Sequence, residues 1–160
     1  MGFLAHSDDL NSVVEHHTVA GQVTLSGGAG SDIYLDLRAA LLCPRCRGTL
    51  LGWYESILPN LTVVGTGAFG ALLLSALCDY ERPCLLWNPK KHGLAWSGNR
   101  PRPGEEVILV DDVVSTGETL SRLREACERE GWVVRGEIVA VRRANNEHTS
   151  VSRGAADYDN

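Results

Sequence analysis

Two adjacent carboxylates, Asp111 and Asp112, follow an apolar run in the second half of the chain. That run, Val-Ile-Leu-Val at residues 107–110, predicts a strand buried on both faces of a parallel sheet. In open α/β sheets, ligands bind at the carboxyl ends of the strands. An acidic pair at the end of a buried strand costs stability unless it binds something. Because carboxylates accept hydrogen bonds well from a vicinal diol, a sugar diol is the expected ligand.

A short loop rich in hydroxyls follows the acidic pair and contains Ser115, Thr116, Gly117 and Thr119. A helix is predicted to begin directly after it, and the free N–H groups and dipole of a helix start favour an anion. The hydroxyls add donors, and Gly117 lets the backbone approach a ligand closely. Phosphate and diol together describe a ribose 5-phosphate. The alternative is a plain buried strand followed by a capping box of Ser115 and Glu118.

The secondary-structure elements predicted around these residues are those of an α/β protein. Hydrophobic patterning predicts two early strands at residues 19–25 and 32–37, either as an antiparallel pair or as a strand-loop-strand, and then strands of a main sheet at residues 61–64, 84–87 and 133–141. Helices are predicted at residues 44–58, 71–78 and 120–130. Residues 1–18 have no clear hydrophobic period, and we expect a helix or a loose arm there. Residues 145–160 are polar, and we expect a frayed tail.

Three glycines, Gly65, Gly67 and Gly70, form a G-x-G-x-x-G pattern after the predicted strand 61–64. A dinucleotide site would require an acidic residue at the end of the next strand. That strand is followed instead by Lys90 and Lys91, the two lysines of the chain. The pattern therefore favours an anion loop for pyrophosphate over a dinucleotide site. The lysines begin a long polar connection, which is typical of a lid or binding loop, with a solvated surface loop as the alternative.

Composition limits the class of protein. With 160 residues, 44% hydrophobic and 22% charged, the chain is predicted to be one soluble domain with a full core. A net charge of −5 argues against a nucleic-acid surface, and no apolar run reaches membrane-spanning length. Five cysteines without a secretory segment predict reduced thiols in the cytoplasm.

A C-x-x-C pair, Cys43 and Cys46, precedes the first well-patterned helix. A structural zinc site needs four ligands, usually two such pairs, and the other cysteines are scattered in the sequence. Pro44 suits the first turn of a helix. We therefore interpret the two thiols as incidental to a helix start, with a metal or redox role as the minor alternative.

Several segments together resemble the orotate phosphoribosyltransferases, a family of type I phosphoribosyltransferases, over residues 20–143. Residues 107–120 resemble the signature that binds phosphoribosyl pyrophosphate (PRPP). Residues 23–36 resemble the family's N-terminal hood motif, and residues 86–93 resemble its flexible catalytic loop. The implied fold has a central, mostly parallel sheet flanked by helices, with a small hood. One domain is implied, with hood and first helices at about 1–58, a PRPP-binding core at about 60–143 and a tail at 144–160.

The resemblance also implies an activity, which is transfer of ribose 5-phosphate from PRPP to a nitrogen base, orotate, in pyrimidine nucleotide synthesis. Mg²⁺ is the implied cofactor, held by the substrate rather than by direct protein ligands. The implied catalytic residues are Lys90, Lys91, His92, Asp111 and Asp112. The implied PRPP contacts are Thr66, Gly67, Asp111, Asp112, Ser115, Thr116, Gly117, Glu118 and Thr119, and the implied base contacts are Ser26, Tyr34 and Arg143. A homodimer is implied in which the loop 90–92 is shared across subunits.

Three departures from the family pattern concern the base and the loop. Ser26 stands where the family has a lysine that contacts orotate, and Arg142 replaces the acidic neighbour of Arg143. Leu86 and Trp87 replace the Arg-Lys pair that begins the loop, which leaves open whether Trp87 belongs to the core or to the site. Two alternatives therefore stand beside orotate transfer. One is the same fold acting on a purine or a specialised intermediate, and the other is a non-catalytic PRPP-binding regulator.

Overall fold

The computed structural model describes residues 2–5, 8–24, 30–78, 83–89 and 95–144. Four of the residues singled out above, Ser26, Lys90, Lys91 and His92, lie outside these ranges, and so does the predicted tail 145–160.

The described residues form strands and helices that largely alternate along the chain. The strands are β1 (Gly2–Ala5), β2 (Thr18–Thr24), β3 (Gly30–Leu35), β4 (Thr62–Thr66), β5 (Cys84–Trp87), β6 (Trp96–Gly98), β7 (Glu106–Val114) and β8 (Val133–Ala144). The helices are α1 (Asp8–His17), α2 (Leu37–Leu42), α3 (Pro44–Ile57), α4 (Gly67–Leu77) and α5 (Glu118–Arg129). No helix within the described ranges combines the length and apolarity needed to cross a bilayer.

The main sheet has six strands in the order β1-β8-β7-β4-β5-β6. Its four central strands run parallel, and the edge strands β1 and β6 run antiparallel to their neighbours. A separate antiparallel pair, β2 and β3, forms the small hood. Because the central strands are parallel, their carboxyl ends meet at one edge of the sheet, where a ligand site is expected.

Helices cover both faces of the main sheet, so the central strands are buried on both sides. Alternate residues of β7 divide between two apolar clusters, with Ile108 and Val110 on one side and Val107 and Leu109 on the other. The first cluster packs under α1 to α4, and the second packs under α5. This two-sided burial explains the continuous apolar run that predicted a parallel strand.

Three short elements were not predicted from the sequence. The strand β1 lies within residues expected to form a helix or a loose arm, and it adds to the edge of the sheet beside β8. The helix α2 follows Asp36, whose carboxylate caps it by accepting the N–H groups of Arg38 and Ala39. The strand β6 lies inside the long polar connection. Each is shorter than the window over which a hydrophobic period can be read.

Two boundaries near the glycine and acidic motifs also differ from prediction. The helix α4 begins at Gly67, directly after β4, so no separate glycine loop lies between them. Strand β7 continues through the acidic pair to Val114 rather than ending before it. This extension pairs with β8, as in Val113 opposite Val141, whereas pairing with β4 stops at Leu109. The carboxylates therefore stand where β7 has lost one of its two neighbours.

Candidate active site

The acidic pair lies in a cavity of about 730 Å³ at the carboxyl edge of the central strands. Ligand sites for small molecules commonly have volumes of this order. Asp111 is only 8% exposed, and Asp112 is half-buried. Each carboxylate accepts the N–H of the next residue, with Asp112 N to Asp111 Oδ1 at 3.0 Å and Val113 N to Asp112 Oδ1 at 2.7 Å. These bonds leave further carboxylate oxygen capacity for a ligand.

Burial dominates the electrostatics of the pair. It raises the pKa of Asp111 to about 7, with the charge of Asp112 as the second cause. Burial also raises the pKa of Asp112, against the lowering effect of the Val113 N–H and, to a smaller degree, the Arg38 guanidinium. Two carboxylates in one site resist simultaneous ionisation. The pair is therefore prepared to accept hydrogen bonds from a ligand that compensates its charge.

The glycine motif forms one wall of the cavity. Thr66 and Gly67 both line it, and the Thr66 hydroxyl donates to the carbonyl of Trp87 at 2.9 Å, joining the ends of β4 and β5. Gly67 has a φ of 68°, a conformation that favours glycine, and a Cβ there would meet open space. Its backbone at the start of α4 is thus accessible to an anion.

The other two glycines of the motif have a packing role. A Cβ on Gly65 would lie 3.3 Å from Gly70 Cα, and a Cβ on Gly70 would lie 3.1 Å from the Gly65 carbonyl carbon. Strand β4 and helix α4 therefore approach each other more closely than side chains would allow. Of the three glycines, only Gly67 lines the cavity.

The hydroxyl loop connects β7 to α5, and Thr119 at the first turn of the helix lines the cavity. Ser115, Thr116 and Glu118 are exposed and do not line it. The capping residue of α5 is Gly117, in the left-handed conformation, which has no side chain to cap the helix, and the Thr116 hydroxyl accepts the Glu118 N–H at 3.4 Å. Glu118 pairs with Arg122 instead. The capping box considered as the alternative interpretation is thus not formed.

Two further side chains line the cavity, Tyr34 from strand β3 of the hood and Arg38 from helix α2, which follows it. The Arg38 guanidinium donates to the Tyr34 hydroxyl at 2.9 Å and pairs with Asp36 at 3.1 Å. The Asp36 carboxylate, the nearby Tyr34 and, to a smaller extent, Asp112 raise the pKa of Arg38. Tyr34 was predicted as a base contact, whereas Arg38 was missed. The sequence feature that could have indicated the helix carrying Arg38 is Asp36, because an aspartate before an apolar segment is typical of a helix start.

The long connection after β5 begins at the cavity. Asn88 and Pro89 line the cavity, and the Asn88 N–H donates to the Ala95 carbonyl at 2.6 Å. This bond closes the base of the segment that carries Lys90, Lys91 and His92. Trp87 is both core and site, because it packs in the second apolar cluster beside Trp96 and also lines the cavity.

Arg143, predicted as a base contact, lies near the end of β8 opposite Phe3 of β1. It is half-buried and is not among the residues that line the cavity. Of the predicted site residues within the described ranges, the structure thus brings six to the cavity, which are Tyr34, Thr66, Gly67, Asp111, Asp112 and Thr119.

Comparison with solved structures identifies the fold. The orotate phosphoribosyltransferase of Mycobacterium tuberculosis H37Rv in complex with PRPP superposes with a TM-score of 0.60 at 22% identity, covering 82% of this chain and 79% of that one. The fold is that of the type I phosphoribosyltransferases. At this identity the likeness concerns the fold alone.

Sequence comparison gives the family. Orotate phosphoribosyltransferase of Methanopyrus kandleri is 32% identical over 127 residues, covering 77% of this chain and 69% of the relative. That of Lactococcus lactis subsp. cremoris is 31% identical over 130 residues, covering 74% of this chain and 60% of the relative. No family model matches the chain. The chain belongs to the orotate phosphoribosyltransferase family, and it spans between 60% and 69% of the length of these curated relatives.

Proposed function

We propose that the protein transfers ribose 5-phosphate from PRPP to orotate, releasing pyrophosphate. The observation that carries the proposal is the pair of Asp111, which is buried, and Asp112, which is half-buried, in a cavity that the starts of α4 and α5 also reach. Acceptors for a diol and helix starts for two phosphate groups are the groups that PRPP requires. Membership of the family supports the same activity.

The proposed contacts divide among the walls of the cavity. Asp111 and Asp112 accept hydrogen bonds from the ribose hydroxyls. Thr119, with the adjoining residues 115–118, holds the 5-phosphate at the start of α5, where Gly117 provides no side-chain cap and the Thr116 hydroxyl accepts one N–H group, that of Glu118. Thr66 and Gly67 hold the pyrophosphate at the start of α4, which also has no side-chain cap. The uncapped N–H groups suit an anion at both places.

The reaction we propose breaks the bond between ribose C1 and the pyrophosphate oxygen and forms a bond from C1 to a ring nitrogen of the base. Pyrophosphate leaves with the electron pair, the ring nitrogen gives up its proton to the solvent or to the leaving pyrophosphate, and C1 passes through an oxocarbenium-like state with inversion. This chemistry requires no protein nucleophile. It requires that both partners be held in line and that the charge of the leaving group be neutralised.

For the base, we propose that Tyr34 and Arg38 form the contacts on the hood side. Arg38 places a guanidinium in the cavity, and a carboxylated base such as orotate is the partner that a planar guanidinium binds in a bidentate manner. This charge could replace that of the family's hood lysine, whose place Ser26 takes. Arg143 remains a predicted base contact from the resemblance.

The proposed cofactor is Mg²⁺. The cavity fits this ion, since Asp111 and Asp112 present the carboxylate oxygens that Mg²⁺ and its bound waters prefer. When bound with PRPP, Mg²⁺ supplies positive charge that neutralises the leaving pyrophosphate. Asp111 and Asp112 would hold the ion indirectly, by accepting hydrogen bonds from the ribose hydroxyls and from the water molecules bound to Mg²⁺.

Two further parts of the proposal come from the resemblance, and a third, the location and the partners, comes from the composition of the chain. Lys90, Lys91 and His92 close over the pyrophosphate, which is supported by the start of their segment at the cavity-lining Asn88 and Pro89. The protein is a homodimer in which this segment is shared between subunits. It acts in the cytoplasm, without nucleic-acid or membrane partners.

The test is release of pyrophosphate from PRPP and Mg²⁺ in the presence of a panel of bases. We expect release with orotate, and loss of at least about 100-fold in the Asp112→Asn variant because positioning is lost. Glu125→Gln, an exposed change on α5, is the matched control with unchanged turnover. Release with a purine but not with orotate would replace the proposed base. Calorimetric binding of PRPP without release would favour a regulator.

A further inference from the structure

Four side chains with metal-ligating atoms meet at the base of the hood. They are His16 and His17 at the end of α1, Cys43 between α2 and α3, and Cys46 in the first turn of α3. One ligand atom from each lies within 4.8 Å of the others. The cysteines were interpreted as incidental because no second pair stands near them in the sequence. The fold supplies the missing pair from a helix that ends 26 residues earlier.

We propose that these four residues bind a structural Zn²⁺ ion. Two thiolates and two imidazoles form a complete tetrahedral ligand set for zinc. In such a site the ligand atoms lie about 3.3 to 3.8 Å apart, as follows from zinc bond lengths of 2.0 to 2.3 Å. The observed spacing of up to 4.8 Å therefore requires a contraction of at most about 1.5 Å. No redox step is involved, and binding releases the thiol protons to the solvent.

A second observation points to a ligand at the same place. The Nε2 atom of His17 is buried, and within the described part of the chain it has no hydrogen-bond partner. A buried polar atom without a partner costs free energy. Coordination of a metal would satisfy it, because a neutral imidazole nitrogen is a zinc ligand.

The exposure of the four side chains differs across the cluster. His16 is exposed and Cys46 is buried, so the cluster has one side open for entry of an ion.

The ion would join the two ends of the hood. His17 immediately precedes β2, and Asp36, directly after β3, donates its N–H to the His17 carbonyl at 3.1 Å. The ligands therefore bracket residues 18–42, the segment that carries Tyr34 and Arg38. A metal here would fix this segment to the core through α1 and α3, independently of whether PRPP or orotate is the substrate.

The first experiment measures metal content of the untagged wild-type protein, purified without chelator. We expect one zinc ion per chain, and X-ray absorption at the zinc edge should show two sulfur ligands at about 2.3 Å and two nitrogen ligands at about 2.0 Å. Substitution by Co²⁺ should give the visible bands of tetrahedral cobalt and a thiolate charge-transfer band. Protein that neither holds zinc nor takes up Zn²⁺ or Co²⁺ on titration would overturn the proposal. So would a Cys43–Cys46 disulfide in the freshly purified metal-free chain.

Variants assign the ligands. Cys43→Ser and His17→Gln should each lower zinc affinity by at least about tenfold, as loss of a ligand or its support does. Cys78→Ser removes an exposed thiol outside the cluster and is the matched control with full zinc content. Cys43→His keeps four ligands and should retain zinc, which separates ligation from a general loss of folding. Equal zinc content in all four variants would contradict the assignment.

A third measurement follows the hood without reference to turnover. Removal of zinc by a chelator should lower the melting temperature by about 10 °C or more. It should also speed amide hydrogen exchange selectively in β2 and β3, because these strands lose their anchor. An unchanged melting temperature on loss of zinc would mean that the ion has no structural role.

Discussion

The Tyr54 hydroxyl, in the middle of α3, donates a hydrogen bond of 2.6 Å to the backbone carbonyl of Asp111. Tyr54 is fully buried, and its pKa lies well above the ordinary value because of burial and the nearby charges of Asp112 and Asp111. The hydroxyl therefore stays a donor across the working pH range. This bond fixes the backbone of β7 at the residue where pairing with β4 has already ended.

Replacing Tyr54 by Phe should lower the free energy of unfolding by about 1 to 2 kcal/mol, since the Asp111 carbonyl loses a buried donor. The substitution should also raise the KM for PRPP, because the backbone that positions Asp111 and Asp112 loses a hydrogen bond. Urea unfolding and steady-state kinetics measure the two effects. Ser75→Ala, the control, removes an exposed hydrogen bond from the Ser75 hydroxyl to the Leu72 carbonyl on α4. It should leave both the free energy of unfolding and the KM for PRPP nearly unchanged. Equal effects of the two substitutions would show that the Tyr54 bond has no special role.

Asp111→Asn should make stability less dependent on pH. The folded pKa of Asp111 is about 7, against an ordinary value of 3.8, so the wild type loses stability as pH rises between these values. The asparagine side chain cannot ionise, so the variant avoids this loss of stability, which amounts to at most about 4 kcal/mol above pH 7. Denaturant unfolding at pH 5 and pH 8 measures the difference. The prediction is wrong if the variant gains no stability relative to wild type at the higher pH.

Arg38→Ala should raise the KM for orotate about tenfold or more, because a charged hydrogen-bond donor leaves the cavity. The KM for PRPP should change much less. Arg38→Lys should recover part of the affinity, since lysine keeps the charge but not the planar fork. Arg129→Ala, at the exposed end of α5, is the control for a general loss of positive charge. A selective rise in the KM for PRPP would instead place Arg38 at the phosphates.

Gly70→Ala should destabilise the protein by about 1 to 3 kcal/mol, because its Cβ would lie 3.1 Å from the Gly65 backbone and force α4 from β4. Gly52→Ala, in α3, meets open space and should instead stabilise by up to about 1 kcal/mol. Thermal or urea unfolding of the two variants tests the pair. Opposite signs are the expected result, and a stabilising Gly70→Ala would show that the close approach can relax at no cost.

The sequence by itself determined the centre of the site. A continuous apolar run, an acidic pair and a hydroxyl loop are local features, since burial on both faces, the end of a strand and a helix start each leave a mark within a few residues. For the same reason the hood pair β2 and β3, the helix α3 and the central strands were predicted and confirmed. Asp111, Asp112 and Thr119, which these local patterns predict at one site, all line the cavity.

Only the tertiary structure decided which distant residues join them. Arg38 reaches the cavity because α2, too short to show a period, turns it towards the acidic pair. The base of the hood gathers His16 and His17 beside Cys43 and Cys46 because two helices end and begin at the same point in space. The spacing of residues along the chain does not predict such a cluster, because the cluster depends on how the apolar faces of separate helices pack into one core. Local patterns fix what each segment is, and packing between segments fixes which side chains share a site.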